Sequence, residues 1–454
     1  MTVAAAAFAA SMIVLGLGAA ASLAAPRVAV LAAIAASTLA TLLASGGPVC
    51  TPWLGSIPLC VGIDSVSKLF ALLSGVVAVS VLAYAEGAGL MGRGGTAALR
   101  LVVVGLHAAV LGLVYSFSLP AFYIFWEMVL AASAAMIWLW EPRRAVEFFI
   151  YMHAGSLLLL VSIAILVASG AAVFGASVAT GLAGLALTAA LTAFAIKLGV
   201  FPFHTWIPRA YTAVPPAIAG ILAGVVTSIG AYGMYRLVAS LAWPQAATSI
   251  LNAAVWLGAV SALIGALRAL SANRLGLIAS YSSVSHAGMI YAGLAAASPA
   301  ALAGGVLAAI AHGLVKALFF LVAGVLEKQA GTDDISRMGL FAYRMPLTAF
   351  AGFTAAMSLA GLPPFALFPS ELLVVLGVGH SRGAGAAAML ALAVLASTAY
   401  ALRFWRRVFW HPATAAPRPP PPEPQASLLA PLLLLAIASI ALGVAPVLIV
   451  DAIG

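Results

Sequence analysis

Charge is what this sequence most lacks. Only 7% of its 454 residues are charged while 65% are hydrophobic, a balance that excludes a water-soluble globular domain. Cysteine is nearly absent too: Cys50 and Cys60 are the whole complement, too few to hold an iron–sulfur cluster. No G-x-G-x-x-G stretch follows a strand, so no redox cofactor is expected on this chain. The two cysteines share the segment PVCTPWLGSIPLC; they read equally well as a disulfide in an oxidising compartment or as two small unpaired hydrophobes.

What is present is apolar length. Runs of about 20 residues, enough for a helix to cross the hydrocarbon core, recur throughout and are too long for barrel strands. They predict an all-α integral membrane protein of fourteen helices, at 3–22, 27–45, 64–85, 97–115, 118–139, 146–169, 181–201, 213–239, 248–270, 275–296, 300–326, 346–377, 384–410 and 428–450. The first run lacks a basic start, so a cleaved signal peptide is not expected. Basic residues gather in alternate loops: Arg93 and Arg100, Arg143 and Arg144, Arg209, Arg268 and Arg274, Lys328 with Arg337 and Arg344, and Arg403, Arg406, Arg407 and Arg418, with Arg27 alone in the first. The positive-inside rule makes that side cytoplasmic and puts both termini outside a cell inner membrane. The net charge of +9 is thereby used up in topology, and no nucleic-acid partner is expected.

Ionisable residues at bilayer depth cost about 2.5 to 3.5 kcal/mol each and mark function. Here they are Glu127, Lys197, Lys316 and Glu371, with His107, His153, His204, His286 and His312. Plainer roles stand beside that reading. Glu127 and Lys197 fit a structural ion pair; His312 and Lys316, four apart on one helical face, fit the capping of a neighbouring carbonyl. His107 and His153 fit satisfied packing, while His204 and His286, placed near helix ends, fit an interfacial role. Two helices are broken beside such residues: Gly199 and Pro202 follow Lys197, and Gly361, Pro363 and Pro364 precede Glu371. Proline removes a backbone donor and frees carbonyls that lipid cannot satisfy. Broken helices in matching positions point to inverted repeats, here helices 4–8 and 9–13 with helices 7 and 12 broken. The implied division is 1–95, 96–240, 246–411 and 412–454. Glu127 is expected within direct or water-bridged reach of Lys197, so that its approach or withdrawal gates the lysine's proton.

The stretches FWEMVL, EFFIYMHAGSLLLL, FAIKLGVFPFHTWIPRAY, RLGLIASYSSVSHAGMIYAGL, AHGLVKALFFLVAG and SLAGLPPFALFPSELL together resemble the antiporter-like subunits of respiratory complex I, of membrane-bound hydrogenases and of multisubunit sodium/proton antiporters. The resemblance implies a fourteen-helix fold with two half-channels and a proton relay of Glu127, Lys197, His312, Lys316 and Glu371, with His153 as a weaker member. Glu371 and EFFIYMHAGSLLLL lean toward the M-type subunits. Two departures stand out: Ser228 occupies the position of a second basic residue, and Arg209 that of an acidic one. Implied partners are further antiporter-like membrane subunits, the surrounding lipid and, for a redox-driven complex, iron–sulfur subunits on other chains. A multisubunit cation/proton antiporter and a structural scaffold whose relay decayed at Ser228 are the other two readings. The segment RFWRRVFWHPATAAPRPPPPEP reads as an extended linker to the last helix or as a docking segment.

Overall fold

The computed structural model describes residues 3–21, 27–55, 57–90, 93–178, 181–412 and 422–453. In chain order the elements are α1 (Val3–Ala21), α2 (Arg27–Leu43), β1 (Val49–Leu54), β2 (Ile57–Val61), α3 (Ser65–Gly87), α4 (Arg93–Tyr115), α5 (Leu119–Trp138), α6 (Pro142–Ala168), α7 (Ala183–Leu198), α8 (Trp206–Tyr211), α9 (Pro216–Ile221) and α10 (Thr227–Ser240). There follow α11 (Thr248–Ser271), α12 (Leu275–Ala296), α13 (Pro299–Ala330), α14 (Pro346–Leu359), α15 (Leu367–Arg382), α16 (Ala384–Trp405), α17 (Ala426–Val444) and α18 (Val447–Ile453). Proline opens α6, α9, α13 and α14 within their first turn, where the missing N–H has no intrahelical partner to lose.

Among the described residues, ten helical stretches are long and apolar enough to cross a membrane, and Val28–Leu43, Ala183–Leu198 and Pro346–Leu359 are shorter apolar helices. The fourteenth expected span is α12, which has 22 residues but carries the polar run SYSSVSH. The chain is a multi-pass membrane protein. The most enclosed stretches are α13 and 216–240, each buried throughout an 18-residue window. They form the axis of the molecule, with α13 packed on α3, α9, α10, α12, α14, α15 and α17. Outer helices present apolar side chains such as Leu392 and Leu395, as lipid contact requires.

One element was not foreseen. Strands β1 and β2 pair antiparallel, Cys50 opposite Cys60, and the two are joined in a disulfide. The end of β2 is stitched to the end of α4 and the link to α5 by Gly62 N–H donating to Tyr115 O at 3.0 Å and Phe117 N–H donating to Cys60 O at 2.9 Å. Just beyond it, Asp64 caps α3 by accepting from Ser67 N–H at 2.8 Å and pairs with Arg236 of α10 at 2.6 Å. Partial burial opposes the charge of Asp64, but Arg236 and the Ser67 donors hold its carboxyl below the usual carboxylate range.

Residues 413–421, which include Arg418 and most of the proline-rich segment, lie outside the described residues. Immediately after them Glu423 accepts from the Leu347 and Thr348 amides at 2.9 and 3.0 Å, capping α14, the first half of the second broken helix.

Candidate functional site

The first broken helix ends at Gly199, whose φ of 74° is the left-handed geometry that glycine adopts without penalty. Protein groups meet the freed backbone: Trp206 Nε1 donates to Ile196 O at 2.9 Å, Tyr151 OH to Phe203 O at 3.0 Å, and Phe201 N–H to Ser261 Oγ at 2.9 Å. Lys197 sits in the last turn of α7, where the carbonyl end of a helix favours a cation. It is buried, its Nζ has no hydrogen-bond partner, and it lies 5.0 Å from the centre of the Trp126 ring.

Glu127 makes no direct ion pair with Lys197. Trp126 faces α7, and one residue further along a helix points about 100° away, so Glu127 turns toward α6. There its Oε2 lies 3.3 Å from His153 Nδ1, with the two side chains 26% and 41% exposed. Its other oxygen is buried without a partner. Lys197 and Glu127 still interact electrostatically. His153 is therefore the carboxylate's immediate partner, a closer involvement than its packing role implied. His107 is a packing residue, held by Thr38 Oγ1 at 3.2 Å and Ser74 Oγ at 2.9 Å. His204 lies in the break between α7 and α8, tilted against Phe201 at 5.5 Å.

The second cluster is denser and fully buried. Helices α12 and α13 run antiparallel, so His312 meets His286 at a ring separation of 5.5 Å, while Lys316, one turn on, reaches Ala279 and Ser282. Its Nζ donates to Ala279 O at 2.9 Å and to Ser282 Oγ; the lysine does cap a carbonyl. Glu371, in α15, lies 3.3 Å from His286 Nε2. The carboxylate fits because Gly361, at the break before α15, has no side chain: a Cβ there would strike Glu371 Oε2.

His286 corrects the sequence reading. Its expected interfacial position is wrong: it stands in the middle of α12 with 3% exposure, between Glu371 and His312. The signal was available in SYSSVSH, a polar run too rich in hydroxyls for a lipid-facing helix. Its Nδ1 lies 2.7 Å from Ser282 O, and a carbonyl only accepts, so Nδ1 carries a hydrogen. His286 Nε2, both nitrogens of His312 and the second oxygen of Glu371 are buried without hydrogen-bond partners, leaving each free to receive a proton or a water next to it.

Ser228 lies at the seam between the clusters. Residues Leu222–Val226 form a π-helical turn, and the Ser228 hydroxyl lies 2.8 Å from Gly224 O and 3.0 Å from Ala309 O of α13. Gly224 and Gly313 let the two backbones touch: a Cβ on either would meet the other's carbonyl within 3 Å. The stem of Lys197 runs along Gly230 on the same helix. Arg209 lies in α8, away from both clusters, beside Arg144 and Glu147 in a surface cleft.

A membrane bundle with two broken helices and buried carboxylate, imidazole and ammonium groups along its axis defines a class of multi-pass membrane proteins with an ionisable core. Residues 116–398 match the NADH:quinone oxidoreductase/Mrp antiporter transmembrane family, and the chain belongs to that family. It is 34% identical over 324 residues to chain 4 1 of the NAD(P)H-quinone oxidoreductase of Synechococcus sp. (strain JA-3-3Ab), a match covering 67% of this chain and 61% of that relative. It is 32% identical over 347 residues to F(420)H(2) dehydrogenase subunit M of Methanosarcina mazei, covering 71% and 68%. The chain thus spans about three fifths of the length of the first of these relatives. Among solved structures, a chain of respiratory complex I from Thermus thermophilus superposes with a TM-score of 0.85 at 25% identity, covering 99% of this chain and 100% of that one. A chain of the Mrp complex from Dietzia sp. shares the fold, with a TM-score of 0.82 at 23% identity and coverage of 99% and 93%.

Proposed function

We propose that this chain is a proton-translocating, antiporter-like membrane subunit of a redox-driven complex related to respiratory complex I. The observation that carries the reading is the buried approach of Glu371 to His286 Nε2 at 3.3 Å, which sets a carboxyl and an imidazole within proton-exchange reach beside His312. A structural ion pair has no use for a second imidazole whose two nitrogens are both left open. Lys316, Ser282, His286, His312 and Glu371 make one titratable unit, and Glu127, His153 and Lys197 a second. Ser228 stands between them, its hydroxyl on the backbone carbonyls of Gly224 and Ala309, and it cannot store a proton near neutral pH.

The Glu127–His153 pair argues for neighbours. A partly exposed acid and imidazole in the middle of two spanning helices are costly against lipid, and Ile124, Met128 and Ile150 around them are exposed. We assign this flank to another membrane subunit of the same complex. The chain would lie in the cell inner membrane with both termini outside and carry no redox cofactor itself, iron–sulfur centres residing on other chains.

The test is Glu371→Gln in the purified, reconstituted complex. Proton movement should fall by about a hundredfold, the scale of losing one positioned proton carrier, while the set of copurifying subunits is unchanged. Unchanged proton movement would return the chain to the scaffold reading. Iron–sulfur or nickel proteins among the copurifying subunits support the redox complex; their absence favours the cation/proton exchanger.

A further inference from the structure

Helix α16 shows one continuous strip to the outside. From residue 388 to residue 402 its exposed positions are Ala388, Leu392, Leu395, Ala399 and Leu402, spaced by threes and fours and so aligned along one side of the helix. All five are apolar. The strip is about 20 Å long at roughly 1.5 Å per residue, about two thirds of the thickness of the hydrocarbon core. Arg406, also exposed, continues the line past the helix end, where Arg406–Trp410 wind into a π-helical turn.

At that end a cavity of about 400 Å³ opens, lined by Ala399, Leu402, Arg403, Arg406, Arg407 and His411. Strip and cavity therefore share Ala399 and Leu402. Two of the arginines are pinned by uncharged acceptors: Arg403 donates through Nη2 to Ala272 O and through Nη1 to Asn273 Oδ1 at 3.2 Å, and Arg407 Nη2 donates to Ser336 O at 3.4 Å. Asp334 feels the charge of Arg407, whereas Arg403 and Arg406 make no ion pair among the described residues. Beside the same turn Tyr343 and Trp410 are both largely exposed and meet in an edge contact at 6.3 Å. Such rings collect where hydrocarbon gives way to headgroups, which marks the depth at which the arginines stand.

We propose that this end of α16 binds an acidic phospholipid from the leaflet on the basic-loop side, with the phosphate in the arginine-lined cavity and an acyl chain along the strip. Guanidinium groups match phosphate oxygens in pairs, basic pockets between spanning helices suit acidic headgroups, and side chains already held in place lose little freedom on binding. The positive-inside rule accounts for arginines on this side, but it requires neither a cavity among them nor an apolar strip leading to it. Free phosphate would use the cavity and have no need of the strip. A neighbouring subunit would have to bring carboxylates to headgroup depth. The proposal is independent of the proton-translocating reading.

Native mass spectrometry of the full chain in detergent, titrated with phosphatidylglycerol or with phosphatidylcholine, tests this. Phosphatidylglycerol should be the lipid retained. Arg406→Gln should weaken it about fivefold, and Arg403→Gln combined with Arg406→Gln about twenty-five-fold, the scale of basic residues facing acidic lipid. Because Arg406 is exposed, its single variant should keep the parent's thermal midpoint. Arg143→Gln removes a charge from the same side but outside the cavity, and should leave retention within about twofold. Equal retention of the two lipids, or equal losses in Arg143→Gln and Arg406→Gln, would overturn the site. An excess of inorganic phosphate should leave the lipid bound; displacement would assign the cavity to a soluble phosphate instead. Both native cysteines are bonded to each other, so Leu395→Cys puts a single free thiol on the strip. In the assembled complex it should cross-link to no protein, and a cross-linked subunit would replace the lipid as occupant.

Discussion

Single side chains in this protein are placed by what their neighbours omit. Glu371 has room because Gly361 has no Cβ, and Gly361 also holds a φ of 63° that costs other residues about 1 to 2 kcal/mol. Gly361→Ala should therefore both lower the thermal midpoint of the purified chain and reduce proton movement, since the carboxylate must shift from its place beside His286. A variant with parent-like stability and activity would show that the carboxylate has slack. The histidine on the other side of that contact explains why part of the site escaped the sequence. Glu127, Lys197, Lys316 and Glu371 announce themselves as charges inside lipid, but a histidine is neutral enough to sit anywhere. What singles out His286 is a carboxyl far along the chain, and only the packing of α12 on α15 brings the two together. The same holds for Glu127: its depth was legible, whereas its partner depended on which way Trp126 turned the helix.

At the scale of elements, the broken helices are held by groups from elsewhere in the chain. Glu423 caps α14 from beyond the proline-rich segment, accepting from two backbone amides and from Thr348 Oγ1 at 2.6 Å. Glu423→Ala should cost about 1 kcal/mol, the usual worth of a helix cap, and hydrogen exchange at Leu347 and Thr348 should quicken while α13 stays protected. Unchanged exchange there would show that the cap is redundant. Such a tie is invisible in sequence, because an acidic residue beside prolines reads as linker. Spanning helices were legible, since hydropathy over about 20 residues reports lipid burial directly. The hairpin was not: Pro48, Pro52 and Pro58 break any strand pattern, and it forms where Cys50 and Cys60 are bonded across it.

For the whole molecule, the flank bearing Glu127 and His153 is its most consequential surface. A cysteine introduced at Ile150, 64% exposed beside that pair, should cross-link to another membrane subunit in the assembled complex. Cross-linking to no protein would mean that the flank faces lipid and that the acid there has a different explanation.

The π-helical turn at Leu222–Val226 contains one residue more than an α-helix would need. Everything downstream inherits that offset, including Ser228 against α13 and Arg236 against Asp64 at the far end of α10. Deleting Ala223 would restore ordinary winding and swing Thr227–Ser240 round by about 100°, unfastening the middle of the protein and its outer edge in one stroke. Loss of both contacts with the neighbouring helices otherwise intact would mark this turn as the setscrew that fixes the rotational phase of α10.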